Sequence, residues 1–275
     1  MGSGKTTAAD MLRKRLGSSC EIVYGDSFNQ EAVKSLLEEG IVEQILGIPF
    51  NPNTWKEDIV KLSEASPEGK EKVSHLTALC DQRVGEFVAV EVDRIKQESS
   101  AESIIVEHRG AVHFDMWDKA DKRIIVDVDE KARIERLINR EFKVFMGDNP
   151  NPSPEDFRKF EVGVRSLLIA SPDATKTAAD KMLKNGEGSG IIRNNGTELE
   201  YEFAIEKCID NYMQEKTTGQ KVEQQAGCEP TPEPFNRDEL ITSTIESFRE
   251  KFNEKQQAAE TLQIPTIVTN ISDNK

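Results

Sequence analysis

The chain has 275 residues, of which 36% are hydrophobic and 31% charged, enough for one good core or two modest domains with a charge-rich surface. A formal net charge of −14 argues against general nucleic-acid binding and against anionic membrane surfaces. No apolar run approaches the roughly 18–20 residues of a membrane span.

Cys20, Cys80, Cys208 and Cys228 lie far apart and form no metal-type spacing. With no secretory signal apparent, they point to a reduced, cytoplasmic protein without nucleic-acid or membrane partners. An acidic chain can still take an anionic small substrate, because a local cluster of Arg and Lys overrules the global sign.

The first element is Met1-Gly2-Ser3-Gly4-Lys5-Thr6-Thr7, which reads as the second half of the phosphate-binding pattern G-x-x-x-x-G-K-[ST]. In that pattern backbone N–H groups curl around phosphates, the Lys reaches the β- and γ-phosphates, and the hydroxyl ligands Mg²⁺. Gly2, Ser3, Gly4, Lys5, Thr6 and Thr7 are therefore the expected ATP-phosphate residues, with Thr6 on the metal. The competing reading is a linker scar of the Met-Gly-Ser-Gly type. Against it, Ala8, Ala9, Met11, Leu12 and Leu16 follow at spacings that suit an amphipathic helix. A phosphate loop should open onto such a helix, whose N-terminus adds partial positive charge to the anion site. The opening Gly of the pattern, and the strand expected before it, would precede residue 1.

Cys20 to Tyr24 is a short strand closed by Gly25-Asp26-Ser27. Asp26 thus falls at the carboxyl edge of the sheet, where ligands of open α/β folds bind; it can equally be an N-cap for the next helix. Residues 28–46 read as helical, 47–53 as a loop, and Thr54 to about Gln97 as helix broken near Ser66-Pro67-Glu68-Gly69. Ser103 to Glu107 and Arg123 to Val128 are near-continuous β-branched runs, as in a parallel sheet covered on both faces. A helix carrying Arg133, Arg136 and Arg140 follows. Arg133 and Arg136 are also spaced to pair with Glu130 or Glu135 on the helix surface.

Residues 142–190 are polar and rich in Pro, Asn and Gly, with one helical piece from Pro154 to Leu168. They read either as a mobile lid over a phosphate site or as a plain surface excursion. Ile191 to Gly196 forms a last strand and turn, and Thr197 caps a helix through Ile209. Residues 214–236 read as a linker, and 237–275 as a polar helix and tail with a thin stripe of Leu240, Ile241, Ile245, Phe248 and Phe252. The partner of that stripe, the kinase-like body or another protein, is open. His75, His108 and His113 lack metal-type spacing and are assigned ordinary polar roles.

This order of phosphate loop, acid after a strand, Arg-bearing helix, lid and Asn-Gly turn resembles the nucleoside-monophosphate-kinase group of P-loop enzymes. Within it the chain is most similar to dephospho-CoA kinases, over residues 1 to about 213. Gly2 to Asp26, Ile104 to Arg140, and Arg193-Asn194-Asn195-Gly196 carry the match. The resemblance implies an α/β fold with a P-loop NTPase-type parallel sheet between helices, a lid insert and, beyond it, a C-terminal helical tail. It implies ATP and Mg²⁺ as cofactors and a small-molecule acceptor, the ribose 3′-hydroxyl of dephospho-CoA. Asp26 would orient or deprotonate that hydroxyl. Arg140, with Arg136 or a lid residue such as Arg158 or Arg165, would neutralise the transferring phosphoryl group. Asn195 would lie near adenine, and Arg83 and Arg109 would hold the acceptor.

The sequence departs from that family in having Tyr24 with a single Asp26 where two acids stand, and His108-Arg109-Gly110-Ala111 in place of a Pro-Leu-Leu stretch. Glu107-His108-Arg109 also resembles the Glu-Gly-Arg of cytidylate kinases, which implies a nucleotide acceptor. Glu107 is either a Mg²⁺ second-sphere acid or structural. A third reading is a nucleotide-binding module without catalysis, because the sheet would lack its first strand.

Overall fold

The computed structural model describes residues 4–148, 152–169, 182, 184, 190–218 and 236–261. Among the described residues there are four short strands: β1 (Cys20–Tyr24), β2 (Ser103–Glu107), β3 (Ile125–Asp127) and β4 (Ile191–Arg193). The helices are α1 (Lys5–Leu16), α2 (Asn29–Glu38), α3 (Ile41–Leu46), α4 (Trp55–Ala65), α5 (Pro67–Glu98), α6 (Glu130–Asp148), α7 (Pro154–Ile169), α8 (Glu198–Thr218) and α9 (Arg237–Thr261). The fold is a helix-rich α/β arrangement with small parallel sheets. No described helix is long and apolar enough to cross a membrane.

The sheet differs from the expected single layer. β1 pairs with β2 in parallel, from Cys20 opposite Ser103 to Tyr24 opposite Glu107. β3 pairs with β4 in parallel, from Ile125 opposite Ile191 to Asp127 opposite Arg193. The two pairs are not hydrogen-bonded to each other among the described residues. Both β2 and β3 line a cavity of about 1020 Å³, together with Ala8 and Leu12 of α1 and Ile205 and Ile209 of α8. Helix α1 packs on both pairs, so the residues that follow Gly4 bridge the two half-sheets.

Local chemistry sets the helix boundaries. The Ser66 hydroxyl accepts the Gly69 N–H at 3.0 Å, and Pro67 occupies the first turn of α5, where its missing N–H costs nothing. Val84, Val88 and Val92 then lie on one face of α5 and pack on Val23 of β1. Helix α6 continues through Asp148, into the segment expected to begin a lid at residue 142, because Phe142, Phe145 and Met146 have apolar partners there. Helix α8 continues to Thr218, beyond the expected start of a linker at 214, and Glu215 near its end pairs with Lys122 at 2.6 Å. Much of the expected lid, linker and tail (149–151, 170–181, 219–235 and 262–275) lies outside the described residues, as does Cys228.

Candidate nucleotide and phosphoryl-transfer site

Gly4 opens the site. Its φ is 91°, a left-handed conformation that disfavours a side chain. A methyl there would also come within 2.7 Å of the Tyr201 hydroxyl and 2.8 Å of Asn194 Nδ2. The Gly4 carbonyl accepts the Ala8 N–H at 3.1 Å and the Tyr201 O–H at 2.6 Å. Helix α8 therefore clamps the turn from which α1 starts. Thr6 and Thr7 are exposed on the first turn of α1, where the helix terminus presents unpaired N–H groups. Gly2 and Ser3, the other expected phosphate residues, lie outside the described residues.

Lys5 is the first residue of α1, and its Nζ lies 3.8 Å from Glu107 Oε1 at the end of β2. Burial pushes the Lys5 ammonium below its ordinary pKa, Glu107 and Asp26 pull it up, and Arg109 and Arg133 add to the depression. The same burial raises Glu107, against the pull of Lys5. Four charged side chains, Glu107 in contact and Asp26, Arg109 and Arg133 through their charge, thus act on Lys5. That arrangement suits a ligand with several negative charges, whose arrival offsets the desolvation of Lys5.

Asp26 sits in the 3-10 turn Gly25–Phe28 directly after β1. It does not act as a side-chain cap for α2, whose N-cap position is Phe28. Its side chain is 55% exposed, and Oδ1 accepts Asn29 Nδ2 at 3.3 Å. Behind it lies the segment His108 to Gly110. Arg109 Nε is 3.5 Å from Asp81 Oδ1, on α5. Burial raises the Asp81 carboxyl, and Arg109 and His113 pull it back.

The remaining expected residues are placed as follows. Asn195 Oδ1 accepts the Asp129 N–H at 2.6 Å, so it ties the turn after β4 to the start of α6. Arg136 Nη1 donates to the Asn194 carbonyl at 2.9 Å. Arg140 is half exposed and pairs with its neighbour Glu141; it lies roughly 10 Å further along α6 than Arg133. Arg83 is held by Ser35 and Glu39, both at 2.6 Å, and by Glu86 at 3.1 Å. Arg158 pairs with Glu57 and Glu155, and Arg165 with Glu64 and Glu161. The sequence reading undervalued Arg133, whose pairing with Glu130 at 3.5 Å coexists with a charge felt at Lys5. Its position on the first full turn after β3 was the available signal. Asp81 and Tyr201 were missed altogether, since neither stands in a motif.

No group of three or more His, Cys, Asp or Glu able to hold a metal occurs among the described residues. A divalent cation here would have to arrive with the phosphates, with the exposed Thr6 hydroxyl as its protein ligand, and the chemistry of the turn fits that role. No curated protein and no solved structure matches the chain. Residues 1–143 match the family model described as an AAA domain. That match spans more than half of the 275 residues, and the chain belongs to this family of P-loop NTPase-type nucleotide-binding domains.

Proposed function

We propose that the protein is an ATP-dependent small-molecule kinase, acting on the ribose 3′-hydroxyl of dephospho-CoA. The Lys5–Glu107 contact at the start of α1, with the charges of Asp26, Arg109 and Arg133 felt at Lys5, carries this reading. Phosphoryl transfer needs positioning and charge neutralisation more than covalent help from the protein. When bound, Mg·ATP would supply the phosphoryl group and a cation that offsets its negative charge. Lys5 and the N–H groups at the start of α1 hold the phosphates, and Thr6 offers its hydroxyl to the metal. Arg109 and Arg133 neutralise charge that grows as the phosphoryl group moves. Asp26, exposed and at the sheet edge, orients the acceptor hydroxyl and takes its proton. A reducing, cytoplasmic setting belongs to this reading, supported by the free thiols of Cys20, Cys80 and Cys208.

A nucleoside-monophosphate acceptor is the second reading. It is favoured by Arg109, which Asp81 anchors close to Lys5, a placement suited to gripping an acceptor phosphate. ADP release measured with dephospho-CoA, CMP and deoxynucleoside monophosphates as separate acceptors discriminates the two. Lys5→Ala should lower turnover about 10²-fold or more with the productive acceptor. Unchanged turnover in that variant removes the phosphate loop from the account. Mg·ATP binding by the wild-type protein without transfer to any acceptor would leave a nucleotide-binding module.

A further inference from the structure

His108 has no role in the mechanism above, and its type and spacing gave no reason to assign one. Its imidazole is fully enclosed, with a side-chain exposure of 0%. It stacks on Phe114 with ring centroids 5.2 Å apart and an interplanar angle of 21°. On another side it meets Gly25, where a methyl would come within 2.8 Å of His108 Cβ. The ring is therefore enclosed between Phe114 and the Gly25 backbone. Its Nδ1 accepts the Gly110 N–H at 3.0 Å, so in the neutral ring the proton resides on Nε2. Nε2 lies 3.4 Å from Asp26 Oδ1 and 3.9 Å from Asp81 Oδ1. Nε2 is buried and makes no hydrogen bond among the described residues.

We propose that His108 is a positioning residue for Asp26, its Nε2–H steering Oδ1 so that Oδ2 is presented to the acceptor hydroxyl. This rests on the phosphotransfer reading of the site. A carboxylate on a half-exposed turn rotates readily about its terminal bond. Here Asn29 Nδ2 on α2 donates to Oδ1 at 3.3 Å, and His108 Nε2, after β2, lies 3.4 Å from the same oxygen. Oδ2 has no hydrogen-bond partner among the described residues. The 3.4 Å separation exceeds a good hydrogen bond by a few tenths of an ångström, a gap of the kind that closes when a substrate docks.

The charged groups around the ring are Asp26 on the β1 turn, Asp81 on α5, Lys5 on α1 and Arg109 on its own segment. Burial pushes the His108 pKa down to about 4; Asp26 opposes this, while Arg109 and Lys5 reinforce it. The ring is consequently neutral near pH 7 and keeps its proton. It directs the carboxylate and does not itself take up the proton of the acceptor.

The test has one arm that needs no turnover. In ¹⁵N NMR of the wild-type protein, His108 should be the Nε2–H tautomer from pH 6 to 8, and its Nε2–H signal should move in Asp26→Asn but not in Arg83→Gln. The Nδ1–H tautomer, or a signal indifferent to Asp26→Asn, overturns the proposal. The second arm uses whichever acceptor gives ADP. His108→Leu should lower kcat about tenfold with little change in the KM for ATP. His108→Gln, which can donate from its amide, should recover most of the loss. Equal kcat in the Leu variant and wild type, or no recovery in Gln, sinks the proposal while leaving the kinase reading intact. If no acceptor supports turnover, the kinase reading falls and the NMR arm alone decides whether His108 steers Asp26.

Discussion

At the scale of single residues, burial is the dominant force in the site. It lowers Lys5 and His108 and raises Glu107 and Asp81, in each case before any neighbouring charge is counted. The consequence for stability is sharpest at His108. Its ordinary value is 6.5 and its folded value about 4. Below pH 6.5 the unfolded chain takes up a proton that the folded chain refuses. The stabilising contribution is therefore complete above pH 6.5 and lost as the pH falls toward 4, a change of roughly 3 kcal/mol. Glu107 and Asp81 act in the opposite sense. Their carboxyls prefer the protonated form when folded, so acid relieves part of their burial cost and offsets some of the loss. Urea unfolding at pH 7.5, 6 and 5 should show wild-type stability declining with acid. His108→Gln, which has nothing to titrate there, should decline less. Parallel slopes for the two proteins would mean that the ring titrates alike in the folded and unfolded chain.

At the scale of elements, the C-terminal helix is anchored in the apolar core. Ile241, Ile245, Phe248 and Phe252 of α9 are buried against Ile134, Leu137 and Ile138 of α6 and Phe157, Val164 and Leu168 of α7. Phe248 stacks obliquely on Phe142 at 4.3 Å, and Phe252 lies 5.0 Å from Phe157. Arg237 donates to the Leu168 carbonyl at 2.8 Å, and Arg249 pairs with Glu161 at 2.6 Å. The apolar stripe of α9 thus finds its partner within this chain. Phe248→Ala should cost about 3 kcal/mol locally. Amide exchange across α9 should accelerate while Mg·ATP affinity is unchanged, because Phe248 packs in the α6–α7 cluster beside Phe142, and no residue of α1 belongs to that cluster. Loss of nucleotide binding together with α9 protection would show that the two regions unfold as one unit.

The same helix shows what the sequence could and could not tell. The stripe at Leu240, Ile241, Ile245, Phe248 and Phe252 was visible as a period, since helical spacing is a local property. Its partner was not, because Phe142, Phe145, Phe157 and Phe160 sit in a stretch whose Pro, Asn and Gly content suggested a lid. Strands β1, β2, β3 and β4 were legible from their β-branched runs, and the placement of Lys5 at a helix start and of Asp26 just after a strand was legible from motif and position. Asp81 and Tyr201 were not, because each acts across more than 20 residues of chain and carries no local signature. Arg83 and Arg140 stood at plausible positions, yet Arg83 pairs with Glu39 and Arg140 with Glu141. Surface pairing of that kind depends on side-chain reach, which spacing alone does not reveal.

At the scale of the whole molecule, the balance of charge is the governing quantity. Fifty acidic residues face thirty-six basic ones, a net −14. Many of the cations are committed to close pairs, such as Arg94 with Glu91 and Glu98, Lys72 with Glu68, and Arg83 with Glu39. Each exposed pair is worth at most about 1 kcal/mol. The surplus carboxylates have no such compensation, and their mutual repulsion acts over a Debye length of about 30 Å at 0.01 M salt but only about 10 Å at 0.1 M. Repulsion therefore spans much of the molecule at low salt, whereas the attractive pairs are short-ranged and less screened. The sign of the salt effect follows: Tm should rise by a few degrees between 0.01 and 0.3 M NaCl, and equally in KCl. Lowering the pH would also reduce the negative charge, but it would protonate His108 in the unfolded chain and confound the comparison. Salt at pH 7.5 separates the two effects. A Tm that falls with added NaCl would show that the attractive pairs outweigh the surplus, and that the fold is held by its charges despite their imbalance.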